Sequence, residues 1–402
     1  MSLDKTQAVV LGLLSDALFQ KPFCTVKDIN WQEVFAECKA QCVTTLVFPS
    51  LPKEQIPEDI YAQWKYRVNI EIARNSQVSH AHTMIDRLFS KAEIPYVILK
   101  GCASASFYND PLLRTMGDVD FLVGEADFEK ADRLLRENGF VSDDIKHEYE
   151  EAYTKDGIVF ELHKKVNGVP GGKVGQIIDG YFGDIFEKTE VVKTTFARYC
   201  SPSNFHHGLI MLLHVARHMI TGGIGLRQLC DWAVFVEKIG DDFPMIFEEK
   251  LRKVGLWRFA CLLTQFSVLY LGCSEKKWAG KLEADLLKAL RDDIFAGGNF
   301  GHKDLKRSDE AKFITSRKKG GVNDDSNFKQ AVLSANELVR RHWKIAEKIP
   351  VIYPFGWLFF GGRYVLRTML GKREKKNIDD IIVGAEKRKQ IYKKLNLYQK
   401  CE

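Results

Sequence analysis

In the stretch GDVDFLV, residues 117 to 123, two aspartates alternate with large apolar side chains. A period of two is that of a β-strand, so Val119, Phe121 and Val123 belong to one face while Asp118 and Asp120 project together from the other. Two carboxylates that close repel each other. The pair is best accommodated by a divalent cation, Mg²⁺ or Mn²⁺, between the two aspartates and a phosphate.

The residues around this strand define its setting. Tyr96 to Leu99 is a short apolar run ended by Lys100-Gly101, which suits a buried strand followed by a sharp turn. Cys102 to Tyr108 is helix-compatible and is broken by Asn109-Asp110-Pro111. EADFEKADRLLRENGF, 125 to 140, reads as an amphipathic helix closed by Gly139. Tyr149 to Lys155 and Gly157 to Lys165 read as an antiparallel pair turned at Asp156-Gly157. Strand, helix, strand, helix and hairpin from residue 94 to about 200 describe a small mixed sheet carrying helices.

Both flanks have a helical period. Apolar residues recur at three- and four-residue intervals through the first ninety positions, and a long helix from about Tyr61 to Ala92 stops before Pro95. After Ser201-Pro202, the segments NFHHGLIMLLHVARHMI, LRQLCDWAVFVEKI and FACLLTQFSVLYLG predict apolar helices. Gly297 to Asn327 is polar and charge-rich, as a mobile loop would be, and 328 to 348 is helix-like again. The fold class expected is α+β: an N-terminal helical region (1–92), an α/β core (93–200), a C-terminal helical domain (201–350), and an aromatic segment with a basic tail (351–402).

At 402 residues and 45% hydrophobic content the chain can bury a substantial core. It has no apolar run of transmembrane length, and its start, MSLDKTQAVV, lacks signal-peptide character, so a cytoplasmic location is expected. Nine cysteines without a CxxC pair read as free or buried thiols. The net charge of +6 is unevenly placed. From Gly362 onward, twelve Lys/Arg stand against five Asp/Glu, a local +7 that leaves the rest of the chain at −1. This tail follows IPVIYPFGWLFFGG, and the combination suits peripheral contact with a membrane surface or another polyanion. The competing expectation is that the aromatics pack internally and the lysines face solvent.

A third carboxylate stands in GIVFELHKKV, where Glu161 is flanked by Phe160 and Leu162. If that strand lies beside the aspartate strand, Asp118, Asp120 and Glu161 form one acidic cluster for one or two metals, suited to in-line attack at phosphorus. Gly101 would let the backbone approach a phosphate, with the following helix aiming its amides at the anion. Lys100 and Arg114 would add positive charge for a triphosphate, and Ser104 or Ser106 further hydrogen bonds. His163, on the same predicted face as Glu161, would bind phosphate, orient an acceptor, or steady the carboxylates. His214 and His218, one helical turn apart with Asp231 nearby, suit packing and capping better than a metal. The glycines of NGVPGGKVG, 167 to 175, lack the GxxxxGK[ST] spacing and read as a flexible connection.

These residues carry a resemblance. LKG, FY and LLRTMGDVDFLV, followed by FELH, resemble the uncharacterised nucleotidyltransferase-like family of the DNA polymerase β-like nucleotidyltransferase superfamily. A helical lead-in and the pair LLHVARH and LRQLCDWA are similar to that family's flanks, so the resemblance spans about residues 5 to 240. It implies that Gly101 is the turn glycine, Asp118 and Asp120 the metal pair and Glu161 the third carboxylate. It implies transfer of a nucleoside monophosphate from an NTP to an acceptor hydroxyl, with Mg²⁺ or Mn²⁺. The chain departs from the wider superfamily in having no Gly-Ser after the first strand, Cys102 standing where serine often does. That departure keeps open an alternative, a non-catalytic module that binds a nucleotide or a partner.

Overall fold

A computed structural model describes residues 3–24, 27–143, 149–281, 284–304, 307, 336, 339, 343, 350–369, 378–395 and 397–399. The chain opens with α1 (Lys5–Phe19), capped by Asp4, and α2 (Trp31–Ala40), capped by Asn30. Each cap accepts a hydrogen bond from a first-turn amide. After the short α3 (Thr44–Val47), helix α4 (Glu58–Lys91) runs 34 residues and ends just ahead of Pro95. Its two halves pack differently: Trp64 and Val68 belong to a helical core, whereas Val78, Ala81, Ile85 and Phe89 cover the sheet.

Five strands, β1 (Tyr96–Ile98), β2 (Val119–Val123), β3 (Val141–Ser142), β4 (Glu150–Lys155) and β5 (Ile158–His163), form a sheet in the order β1-β2-β5-β4-β3. β2 runs antiparallel to β1 and parallel to β5, with Asp120 opposite Glu161. The β4–β5 hairpin turns at Asp156 and Gly157, with φ of 51° and 71°, the positive values of a two-residue type I′ loop. Between the strands lie the one-turn α5 (Cys102–Ala105) and α6 (Phe128–Glu137). Val119, Phe121 and Val123 pack with α4 and α6, while Leu122, on the aspartates' face, joins the helical core. A buried phenylalanine or leucine of this kind contributes about 1.5–3 kcal/mol.

The structure adds elements that periodicity did not indicate. A second hairpin, β6 (Thr189–Lys193) and β7 (Arg198–Pro202), packs beside α4 and β1. The glycine-rich connection is partly helical, since α7 (Gly172–Tyr181) begins within it and Gly175 is buried.

Beyond the sheet come α8 (Asn204–Ile220), α9 (Leu226–Ile239), α10 (Phe243–Lys253), α11 (Trp257–Phe266) and α12 (Ala284–Gly297). Val9, Leu13 and Trp31 from the start of the chain share one hydrophobic core with Leu212, Trp232, Phe259 and Ile391. Of the expected mobile loop at 297–327, the first residues are folded: Asn299–Gly301 form a 3₁₀ turn in which Asn299 and Gly301 are buried. Apart from Arg307, its remainder after Asp304 lies outside the described residues, as does most of 328–348. Two further helices follow, α13 (Tyr353–Met369) and α14 (Ile378–Leu395), so the aromatic run is helical despite its glycines. No helix among the described residues is long and apolar enough to cross a membrane.

Candidate active site

The pairing of β2 with β5 sets Asp120, Glu161 and His163 so that one potential ligand atom from each lies within 4.8 Å of the others. Asp120 is 1% exposed, and its Oδ1 receives the Lys100 ammonium at 2.7 Å. His163 Nε2 stands 3.4 Å from Asp120 Oδ1 and 3.4 Å from Glu161 Oε2, while its Nδ1 faces Glu150 Oε2 at 3.3 Å. Asp118 precedes the first paired residue of β2, is half-buried, and lines the same cavity of about 250 Å³. The expected three carboxylates therefore share one cavity. The compact trio, however, contains His163 in place of Asp118, because register puts Asp120 directly across from Glu161.

Charge inside the cluster is only partly compensated, since Lys100 and His163 face three carboxylates. The neighbouring Asp120 charge, then burial, holds the Asp118 carboxyl above its usual range against the pull of Lys100. Burial would raise Asp120, but Lys100 and His163 outweigh it and keep this carboxylate well below the ordinary value. Glu161 is lowered by its interaction with His163, yet burial and the two aspartates prevail and lift it. Burial alone would depress His163; its interactions with Asp120 and Glu161 overcome that and raise it to about 8, so the ring is largely protonated at neutral pH. Burial likewise works against the Lys100 charge, and Asp120 and Asp118 more than restore it.

The donor set suits a divalent cation. Carboxylate oxygens from Asp118, Asp120 and Glu161 are hard ligands of the kind Mg²⁺ and Mn²⁺ take. Asp120 Oδ1 is buried without a well-formed hydrogen bond, although Lys100 and His163 face it, so this oxygen keeps acceptor capacity that a cation can use.

Other residues singled out in the sequence have partners within the protein. Gly101 adopts φ 58°, and a Cβ there would sit 2.6 Å from His82 Nε2. The close approach that glycine permits is thus made by His82 of α4, to which the Cys102 N–H donates at 3.4 Å. The helix after Gly101 has four residues, too short to aim a set of amides at an anion. Ser104 Oγ lies 3.4 Å from His207 Nε2, and Ser106 Oγ donates to the Ala103 carbonyl. Arg114 lines the cavity but is bound by both oxygens of Asp231.

His214 and His218 meet edge to face with centroids 4.4 Å apart, and His218 meets Phe300 at 4.4 Å. Burial, then the Lys100 charge, pushes His214 well below its usual value and His218 down to about 3. With Asp231 engaged by Arg114, the pair packs as neutral rings. Sequence reasoning did not single out Glu150, Asn167, Arg227, Gln228 or Phe300, which also line the cavity. Arg227 and Gln228 were visible only as polar residues opening an apolar helix.

No curated protein and no solved structure matches the chain. A family model described as uncharacterised nucleotidyltransferase matches residues 27–272, beginning and ending later than the resemblance read from the motifs. The match takes in the whole five-stranded sheet, the three carboxylates and the helices α8 and α9 that face them. Covering more than half of its length, it makes this chain a member of the uncharacterised nucleotidyltransferase family.

Proposed function

We propose that the protein transfers a nucleoside monophosphate from an NTP to a hydroxyl group of an acceptor. The observation that carries this reading is the register of β2 on β5, which sets Asp120 against Glu161 on a cavity wall that also holds Asp118. The acceptor oxygen attacks the α-phosphorus, the bond from that phosphorus to the bridging oxygen breaks, and pyrophosphate leaves with the bonding electrons. Glu161, whose carboxyl is held above its usual range, receives the hydroxyl proton. Asp118, Asp120 and Glu161 would hold Mg²⁺ or Mn²⁺, which would polarise the α-phosphate and neutralise the leaving pyrophosphate. Lys100 and His163 keep the carboxylates ordered, and the walls from α8 and α9 select the acceptor.

A second reading, a non-catalytic module that binds a nucleotide or a partner, is favoured by one feature. The residues around the Gly101 turn are engaged internally, Cys102 N–H by His82 and Ser104 by His207. Binding of the four NTPs with Mg²⁺ to the wild type and to Asp118→Ala/Asp120→Ala tests the metal role, and unchanged binding in the double variant removes it. Pyrophosphate release across hydroxyl acceptors then separates the readings, since binding without release selects the module. The free thiols of the described cysteines support a cytoplasmic setting. The exposed apolar side chains of α13, beside the basic tail, support peripheral contact with a membrane or another polyanion.

A further inference from the structure

An oligophosphate is bound by cations and N–H donors that are not already committed to other partners. Around the Gly101 turn little of this capacity is left. Lys100 is ion-paired with Asp120, Arg114 is held by both oxygens of Asp231, the Cys102 amide is directed at His82, and Ser104 is beside His207.

The first turn of α9 differs. Arg227 and Gln228 line the same cavity as Asp118, Asp120 and Glu161. Arg227 donates from Nη1 to the Thr115 carbonyl at 3.1 Å, and its guanidinium lies over the Phe300 ring, 5.4 Å from the centroid. Its Nε is buried without a hydrogen-bond partner, and among the described residues no carboxylate forms an ion pair with it. Gln228 is 4% exposed. Its Oε1 accepts the Gly225 N–H at 2.9 Å, but Nε2, with two hydrogens to give, has no partner. Buried donors without acceptors are uncommon, and two adjacent ones on a cavity wall indicate that a ligand supplies what is missing.

The setting of Arg227 is itself constrained. Phe300 adopts φ 55° and ψ 24°, a left-handed conformation unfavourable for a side-chain-bearing residue, and its ring is lodged between His218 and Arg227. Phe300 is therefore a positioning residue that fixes the plane of the guanidinium. From there the Arg227 charge reaches across the cavity to Asp118.

We infer that Arg227 and Gln228 form an oligophosphate subsite on α9, facing the carboxylates, in place of one at the Gly101 turn. The inference rests on the nucleotide reading above for its natural ligand, and the chemistry is shared by NTP and free tripolyphosphate.

The test uses the full chain and measures binding of Mg²⁺-tripolyphosphate and of each NTP to wild type, Arg227→Gln, Arg227→Lys and Gln228→Leu, alongside Mn²⁺ binding in the absence of phosphate. Loss of the arginine whose Nε is buried without a partner is expected to weaken tripolyphosphate roughly tenfold or more, with Arg227→Lys recovering part and Gln228→Leu losing less. Mn²⁺ binding stays as in wild type. Failure of the wild type to bind tripolyphosphate, equal binding by Arg227→Gln, or parallel loss of Mn²⁺ binding each overturns the subsite. Arg227-dependent binding without nucleotidyl transfer to any acceptor retains the subsite and removes the transferase. Transfer with an unaltered KM for NTP in Arg227→Gln does the reverse.

Discussion

Arg114 and Asp231, 117 residues apart, form a buried two-bond pair, Nε to Oδ1 and Nη2 to Oδ2, each 2.7 Å long. The Tyr108 hydroxyl donates to the same Oδ1, also at 2.7 Å. The pair fastens the loop ahead of the aspartate strand to α9, so it holds the two walls of the cavity together. Removing one member strands a buried charge. Asp231→Asn or Arg114→Met is expected to lower unfolding free energy by about 3–5 kcal/mol, and Arg114→Met/Asp231→Leu to recover much of it. Urea denaturation measures this; equal losses in the double variant and the single variants would contradict it.

Lys100 and Asp120 make the second bond that shapes the site. Because Lys100 is a quarter exposed, its loss is softened by solvent: Lys100→Met is expected to destabilise the metal-free protein by about 1–3 kcal/mol. A divalent cation would then supply the charge Asp120 has lost. Thermal unfolding with and without Mn²⁺ should show a larger metal-induced rise in Tm for Lys100→Met than for wild type; equal rises would show that Asp120 takes no part in metal binding.

Gly101 is constrained twice, by its positive φ and by the His82 ring. Gly101→Ala should cost about 1–3 kcal/mol from the backbone conformation alone, with the clash on His82 added. Gly101→Ala/His82→Ala should remove the clash and keep the backbone cost. A double-mutant cycle with no coupling between the two positions would show that the contact is unimportant.

The strands around the site and the hairpin were legible because period-two alternation and an Asp-Gly turn are local signals, whereas the pairing of the aspartate strand with the Glu161 strand was only a condition until the sheet supplied it. Tyr96–Ile98, Val119–Val123 and the hairpin at Asp156-Gly157 fall where those signals put them. The partners of the polar residues were not legible, since each is set by packing over long sequence distances. Asp231 reaches Arg114, His82 reaches Cys102 and His207 reaches Ser104 only once α4, α8 and α9 have docked on the sheet. The hairpin from Thr189 to Pro202 was missed because its first strand is mostly exposed and polar, leaving no buried face to read. Arg227 lacked any motif, and what singles it out is a buried Nε without an acceptor on the cavity wall.

Three histidines, His207 buried and His214 and His218 half-buried, predict an acid-sensitive fold. Burial pushes His207 down to about 4 and His218 to about 3, and pushes His214 well below its usual value. The folded state resists protonation that the unfolded chain accepts near pH 6.5. Their contribution is complete above pH 6.5 and is lost as pH falls toward those folded values, by up to about 1.4 kcal/mol per pH unit for each ring. His163 has the opposite sign. Raised to about 8, it contributes fully below pH 6.5 and loses that contribution as pH rises through 8, so it does not offset the acid loss. Urea midpoints from pH 7.5 to 5 should fall steeply below 6.5, and His207→Asn should flatten the slope; a level profile would contradict the assignment.

The exposed face of α13 makes the last prediction. Phe355, Leu358 and Phe359 are 66%, 75% and 52% exposed, and Val351 just before the helix is 73% exposed. Spacings of three and four place them on one side. The other side is anchored: Gly356 lies against Val339, and Trp357 Nε1 donates to Asn336 Oδ1. Part of the basic tail serves the fold, since Arg388 is buried and donates to the Met219 and Thr221 carbonyls while Ile391 and Leu395 join the core. Exposed Lys393 and Lys394 remain available to an anionic surface. Full-length protein should float with vesicles containing anionic lipid, less so at high salt. Phe355→Ser/Leu358→Ser/Phe359→Ser should weaken that association by roughly tenfold or more, the loss expected from withdrawing three large apolar side chains. Binding that falls with salt but ignores the triple variant would assign the contact to the lysines alone, and no flotation by the wild type would leave this face without a membrane role.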